Sequence, residues 1–196
     1  MLKKIIFSLI LIGFFAIPTS AATVHTVVKG DTLWKIAQSY RVGLSELISV
    51  NTHIKNPDLI YVGNKITIPE KQSIPEAQAV VDLVNKQRQA NGLKPLSVDW
   101  ELARVAQYKA KDMHDNKYFS HTSPIYGSPH KMIKDFGISY KSSGENIAQG
   151  QKTANEVMNS WMNSSGHKAN ILGSYSHIGV GYVADGKYWV QMFILK

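Results

Sequence analysis

The chain has no cysteine at all among its 196 residues. It therefore cannot lean on disulfides, as small secreted domains often do, and must be stabilised by its own core. It has no excess of acid: 22 Lys and Arg stand against 14 Asp and Glu, a formal net charge of +8. The basic residues form no run beyond isolated pairs, so a scattered solubilising surface is a better account of them than a dedicated polyanion site, and no specific nucleic-acid partner is expected. Internal repeats, an HExxH helix and a serine nucleophile elbow are all missing, so no single motif names a chemistry. Long apolar runs are missing too, with one exception at the start.

That exception reads as a signal peptide over residues 1–22. Lys3 and Lys4 form a positive segment, Ile5 to Ile17 is nearly unbroken apolar sequence, and Ser20, Ala21 and Ala22 supply small residues for cleavage. The apolar run is shorter than the ~20 residues of a membrane span, so a retained anchor is the weaker alternative. Cleavage would lower the charge from +8 to +6 and leave a mature chain with no expected transmembrane segment.

Val24, Thr26 and Val28 alternate as the inward face of a half-buried strand. Asp31 then reads as the cap of a helix carrying Leu33, Trp34, Ile36 and Ala37 and ending near Tyr40. A second helix bears Leu44, Leu47 and Ile48 on one face, and Lys65 to Ile68 closes the unit as a strand. The segments VHTVVKGDTLWKIAQSYRVGLSELISVN and NPDLIYVGNKITIP resemble a LysM module over residues 23–69, with Val62 where many members carry proline. The resemblance implies recognition of N-acetylglucosamine glycans such as peptidoglycan. Its contacts are expected at Gly30, Asp31, Thr32 and Leu33 on one loop and Asn56, Pro57, Asp58, Leu59 and Ile60 on the other. Asp31 as a cap and Ile60 as core are the competing structural readings. His25 and His53 read as surface histidines.

Residues 70–75 read as a short extended linker, with independent motion of its two sides expected. From Glu76 the pattern is helical: Ala77, Val80, Val81 and Val84 recur at i, i+3, i+4 and i+7, and Asn91-Gly92 ends the helix. Asp99 caps a second helix with the stripe Leu102, Val105, Ala106, Ala110 and Met113. Residues 116–133 read as loop. Thr153 and Glu156 form a capping box for a third helix bearing Val157, Met158 and Trp161. Residues 177–184 and 187–195 alternate around Asp185-Gly186 as a hairpin.

His121, Glu145 and His167 carry the chemical potential of this half. Two imidazoles and a carboxylate with open positions suit a divalent metal; without one they suit a general base, a general acid and an orienting partner. Hydrogen-bonding residues of a polar cleft is the plainer account. The segments YFSHTSP, GENIAQG, WMNSSGHKANIL and HIGVGYV…YWVQMF resemble the CAP superfamily of cysteine-rich secretory, antigen 5 and pathogenesis-related proteins, over residues 76–196 and nearest its cysteine-free bacterial branch.

The resemblance implies an α-β-α sandwich with strands beyond the hairpin, so the whole chain is expected to be α+β: a small βααβ LysM module followed by a CAP domain. It further implies that His121, Glu145 and His167 line the family's cleft. The family's second glutamate is replaced here by Asn163 and Ser164, which with His177 are expected to support the pocket. Asn146 is expected to orient Glu145, while Trp161, Trp189 and Phe193 read as core and His114 and His130 as surface. No cofactor is required on this reading, although a divalent metal, Zn or Mg, is a candidate at His121, Glu145 and His167. The expected protein is a secreted, extracellular and wall-associated monomer, in a vegetative wall or a spore envelope. It would hold peptidoglycan and present its cleft to a ligand or a cell-wall protein, more as a binder than as an enzyme. Hydrolysis of wall material and carriage of a small apolar ligand are the alternatives.

Overall fold

The computed structural model describes residues 22–71 and 73–196, so the expected signal peptide lies almost wholly outside the described residues. No helix among the described residues is long and apolar enough to cross a membrane.

The first unit contains β1 (Val24–Thr26), α1 (Leu33–Tyr40), α2 (Leu44–Val50) and β2 (Lys65–Thr67), with β1 and β2 antiparallel. The βααβ order is as expected, but the faces of the first strand are reversed. Val27 is buried, whereas Val24 and Val28 are exposed and His25 is half-buried. A period of two fixes alternation and leaves the sign of the face open, so a one-residue shift exchanges inside for outside. The cap of α1 also differs: Thr32, not Asp31, accepts from the Lys35 N–H. Buried Asn51 joins α2 to β2, donating to the Leu47 and Thr67 carbonyls and accepting from the Thr67 N–H.

Pro75 opens α3 (Pro75–Ala90), which buries the expected apolar positions. Then come β3 (Ser97–Val98), α4 (Trp100–Asp115), α5 (Pro129–Asp135), β4 (Ser142–Gln149), α6 (Ala154–Met162), α7 (Ser165–Ile171), β5 (His177–Val183) and β6 (Tyr188–Leu195). Asp99 caps α4 by accepting from the Leu102 N–H. The sheet runs β3-β5-β6-β4, with β3 and β5 parallel and the other pairs antiparallel.

Strand alternation sends Ile147, Val190, Met192 and Ile194 toward α4 and α5. Ile178, Val180, Trp189 and Phe193 face α3, α6 and α7 on the other side. The result is three layers, helix on sheet on helix. Trp161, Trp189 and Phe193 are core, as expected.

Helix α4 lies unusually close to β5. A Cβ on Gly179 would stand 2.3 Å from the Leu102 backbone, and one on Gly181 2.4 Å from that of Ala106. Neither strand position can carry a side chain without moving the helix. Farther along, buried Arg88 on α3 donates to the carbonyls of Lys94, Ile171 and Gly173, pinning the end of α7.

The two units touch. Arg104 on α4 grips Glu46 on α2 through two hydrogen bonds of 3.1 and 3.0 Å, and Gln38 on α1 donates to Glu101. The guanidinium lies 5.9 and 5.8 Å from the ring centroids of Trp100 and Tyr108. Buried Gly43 leaves room for it, since a Cβ there would sit 2.1 Å from Nη2. The expected independence of the two units is thus opposed by a planar, pre-organised ion pair.

Two outcomes test this architecture. Gly181→Ala should destabilise the chain by about 1–3 kcal/mol or more, the usual cost of overpacking, read as a lower thermal midpoint. In 15N relaxation, wild type should tumble with one correlation time across both units, whereas Arg104→Ala should give residues 24–68 a shorter one; unequal times in wild type would refute the dock.

Candidate functional site

The cleft is built upward from α4. Lys109 is 1% exposed on a stripe otherwise made of Leu102, Val105, Ala106, Ala110 and Met113. Its ammonium donates to the Tyr118 hydroxyl at 3.1 Å and to the carbonyls of Ser120 and His121 at 2.8 and 3.0 Å. Those three bonds use all three of its protons, which is what a buried ammonium needs. Burial lowers its pKa, while Glu145 and then Asp112 act in the opposite direction.

One turn on, buried Asp112 accepts from the hydroxyls of Tyr118 and Ser123 and from the Asn116 amide. Burial, followed by the Asp112 hydrogen bond, drives the Tyr118 phenol far above its ordinary 10.0. Ser123 in turn accepts from the N–H groups of Ile125 and Tyr126. Residues 118–126, expected as loop, are thereby held firmly over α4.

This scaffold sets His121 above Glu145. Glu145 lies in β4 opposite Met192, on the α4 side of the sheet. Its side chain is 2% exposed, against 54% for His121, and its Oε1 accepts from His121 Nδ1 at 2.7 Å. Glu145 Oε2 is buried with no hydrogen-bond partner among the described residues.

Asn146, next along β4, faces the other way. It donates to the His167 carbonyl at 3.0 Å and to Gln191 Oε1 at 3.0 Å. Asn170 on α7 donates to the Glu145 carbonyl and to Asn146 Oδ1. These bonds hold α7, and so half-buried His167, against the edge strand that carries Glu145. Asn146 therefore positions His167 rather than turning Glu145.

The two imidazoles are tuned apart. The hydrogen bond to Glu145 raises His121 above 6.5, with burial opposing. Burial, and then the charge of His121, lowers His167 below 6.5. The two shifts run in opposite directions, so His121 holds its proton to higher pH than His167 does.

The expected metal set at His121, Glu145 and His167 is not assembled. Glu145 binds the Nδ1 side of His121 and so orients that ring instead of joining it as a ligand. No group of three His, Cys, Asp or Glu among the described residues is placed to share an ion.

The expected supporting residues also differ. Asn163 is the exposed C-cap of α6, and Ser164 precedes α7 as its N-cap without a side-chain capping bond. His177 pairs in register with Ser97 and Ile194, two strands away from β4, and its Nδ1 meets the Ser176 hydroxyl. Asn146, Asn170 and Gln191 fill the supporting role. Glu156 accepts from the Lys152 N–H, its Thr153 cap accepts from the Glu156 N–H, and it plays no part in the cleft.

In the first unit, a hollow of about 230 Å³ opens between the two expected loops. Asp31, Thr32 and Leu33 line one wall; Pro57, Asp58 and Ile60 line the other. Trp34, Leu44 and Ile48 complete it, and Trp34 is 59% exposed. Gly30 makes the turn beside the hollow at φ 92°, while Asn56 and Leu59 line a neighbouring hollow. Asp31 accepts from the Val28 N–H and from His25, and those bonds hold its carboxyl below 3.8. His25 is thus a bridge between Asp31 and Tyr40, not a free surface residue.

The cysteine-rich secretory protein family, CAP, matches residues 81–193, more than half of the chain. The chain belongs to the CAP family. A LysM domain precedes it at residues 25–69. The Bacillus subtilis protein YkwD is 50% identical over 147 residues, covering 74% of this chain and 57% of that protein. A crystal structure of an extracellular protein containing an SCP domain from Bacillus anthracis superposes with a TM-score of 0.61 at 30% identity, covering 68% of this chain and 47% of that one. The chain therefore spans about half the length of these relatives. Over the LysM stretch, the secreted LysM effector ECP6 of Passalora fulva is 51% identical across 45 residues, and the spore coat assembly protein ExsA of Bacillus cereus 50% across 56.

The electrostatics of the CAP cleft are open to NMR titration. His121 should titrate above 6.5 and His167 below it. Because folding raises the His121 pKa, its pairing with Glu145 contributes stability in full below about 6.5 and loses it as pH rises through the folded value. Glu145→Gln should return His121 to 6.5 or lower; an unchanged titration would show that the carboxylate does not hold the proton.

Proposed function

We propose that this chain is a secreted, cell-wall-associated protein whose LysM unit holds peptidoglycan, or another N-acetylglucosamine glycan, and whose CAP cleft receives a ligand or protein partner there. The observation that carries the reading is the 230 Å³ hollow between residues 31–34 and 57–60. An N-acetyl sugar needs polar groups for its amide and hydroxyls and an apolar floor for its methyl group and ring faces. Asp31, Thr32 and Asp58 offer the first; Leu33, Trp34, Ile48, Pro57 and Ile60 offer the second.

Relatives of the LysM stretch support the location. One is named as a secreted effector and another as a spore coat assembly protein, so both a wall and a spore envelope are compatible settings. In the cleft, the buried unpartnered Oε2 of Glu145 favours binding of a hydrogen-bond donor, since a buried carboxylate oxygen left without one is costly. The opposed charge preferences of His121 and His167 favour, as a second reading, acid–base hydrolysis of wall material.

One set of assays separates these readings. Wild type should sediment with purified peptidoglycan, and Trp34→Ala should weaken that binding about tenfold or more, as loss of an aromatic anchor does. Undiminished binding would remove the hollow from the mechanism. Release of soluble fragments by wild type but not by Glu145→Gln would establish hydrolysis over binding alone.

A further inference from the structure

A second hollow, of about 470 Å³, lies on the other side of the 56–60 loop. Its polar lining comes from His53, Lys55, Asn56, Tyr61, Asn64 and Lys65, and no Asp or Glu borders it. The 230 Å³ hollow is the reverse, with Asp31 and Asp58 in its walls and no lysine. One face of the loop is set for a neutral or cationic group and the other for an anion.

Internal hydrogen bonds strengthen this bias. Asn56 Oδ1 accepts from the Asp58 N–H at 3.0 Å, and Asn64 Oδ1 accepts from the Tyr61 N–H at 2.9 Å. Each amide oxygen already accepts one bond, and neither NH2 group has an acceptor among the described residues. His53 Nε2 donates to the Lys65 carbonyl at 3.2 Å, and Lys65 Nζ donates to the Thr26 hydroxyl while keeping two further protons. Lys55 has no hydrogen bond or ion pair among the described residues. Two ammonium groups and two amide donors therefore border a concave surface that lacks a matching negative charge.

We propose that this hollow binds the phosphate of a phosphodiester polyanion, so that the LysM unit grips an anionic polymer beside the glycan. Ammonium groups act as point charges that suit a tetrahedral phosphate, and the hollow has no guanidinium fork of the kind that recognises planar carboxylates. The site is distinct from the one assigned to the glycan, and either can fail without the other.

The test is an NMR titration of the full chain at low salt with inorganic phosphate, with a glycerol-phosphate oligomer, with acetate, and separately with an N-acetylglucosamine oligomer. Phosphate and the glycerol-phosphate oligomer should shift residues 53–56 and 61–65, the oligomer at lower concentration. Lys55→Ala combined with Lys65→Ala should weaken the oligomer by about tenfold, the loss of two charge-assisted contacts. Because both lysines are exposed, the variant should fold, and its N-acetylglucosamine shifts at residues 31–34 and 57–60 should match those of wild type. Shifts spread over all surface lysines, equal shifts from acetate, or an unaltered response in the double variant would overturn the proposal. Loss of N-acetylglucosamine shifts in wild type would instead count against the glycan assignment alone.

Discussion

The CAP domain depends on how near α4 comes to β5. Gly179 and Gly181 sit where a methyl group would enter the backbone of Leu102 and Ala106, so the helix rests on the strand itself. That contact fixes both the depth and the rotation of α4. Lys109 and Asp112, one and two turns farther along, then point to the rim of the sheet from beneath residues 118–126. The ammonium clasps the carbonyls of Ser120 and His121, and the carboxylate clasps Tyr118 and Ser123. Remove the glycines and the whole series moves.

The pleat of β4 then divides the work. Glu145 and Asn146 are adjacent, so their side chains leave on opposite faces of the sheet. One meets His121 from the α4 layer and the other meets α7, bringing His167 to the same edge. A buried carboxylate costs several kcal/mol to desolvate unless compensated. Here Lys109 lies within coulombic range behind it, and His121 donates in front. The site thus keeps one hydrogen-bonded His–Glu pair partly open to solvent and one imidazole whose burial favours the neutral form.

Much of this was legible. Helices α3, α4 and α6 carry regular apolar stripes, and β5 and β6 are largely apolar segments flanking Asp185-Gly186, buried on both faces of the sheet. Strand β4 was hidden because its buried positions include Glu145 and Asn146, which break any hydrophobic period. Helices α5 and α7 have only seven residues each, too few for a stripe to repeat. His121, Glu145 and His167 were found from residue type and family resemblance. Lys109 and Asp112 were missed, since a charged residue in an apolar stripe ordinarily marks the solvent side. The available signal was spacing: Lys109 stands at i+3 from Ala106 and i−4 from Met113, and Asp112 at i+7 from Val105. Trp34 was named only as a residue of the first helix and not among the glycan contacts, because the hollow beside it is formed by segments distant in sequence.

The junction between the units changes what the LysM domain contributes. The connection between Thr67 and Pro75 is short, and a flexible one would raise the local concentration of a polymer held by the LysM unit without setting direction. Arg104 adds direction, because it is held between Trp100 and Tyr108 before it meets Glu46. Glu46 belongs to α2, the helix whose Leu44 and Ile48 line the 230 Å³ hollow, and Gln38 belongs to α1, which supplies Leu33 and Trp34. The elements that would seat on a glycan are therefore the same ones bolted to α4, and α4 is the element that carries the cleft. A polymer bound in the hollow would lie at a defined bearing to His121 and His167, so the wall groups presented to the cleft would be selected by geometry as well as by proximity.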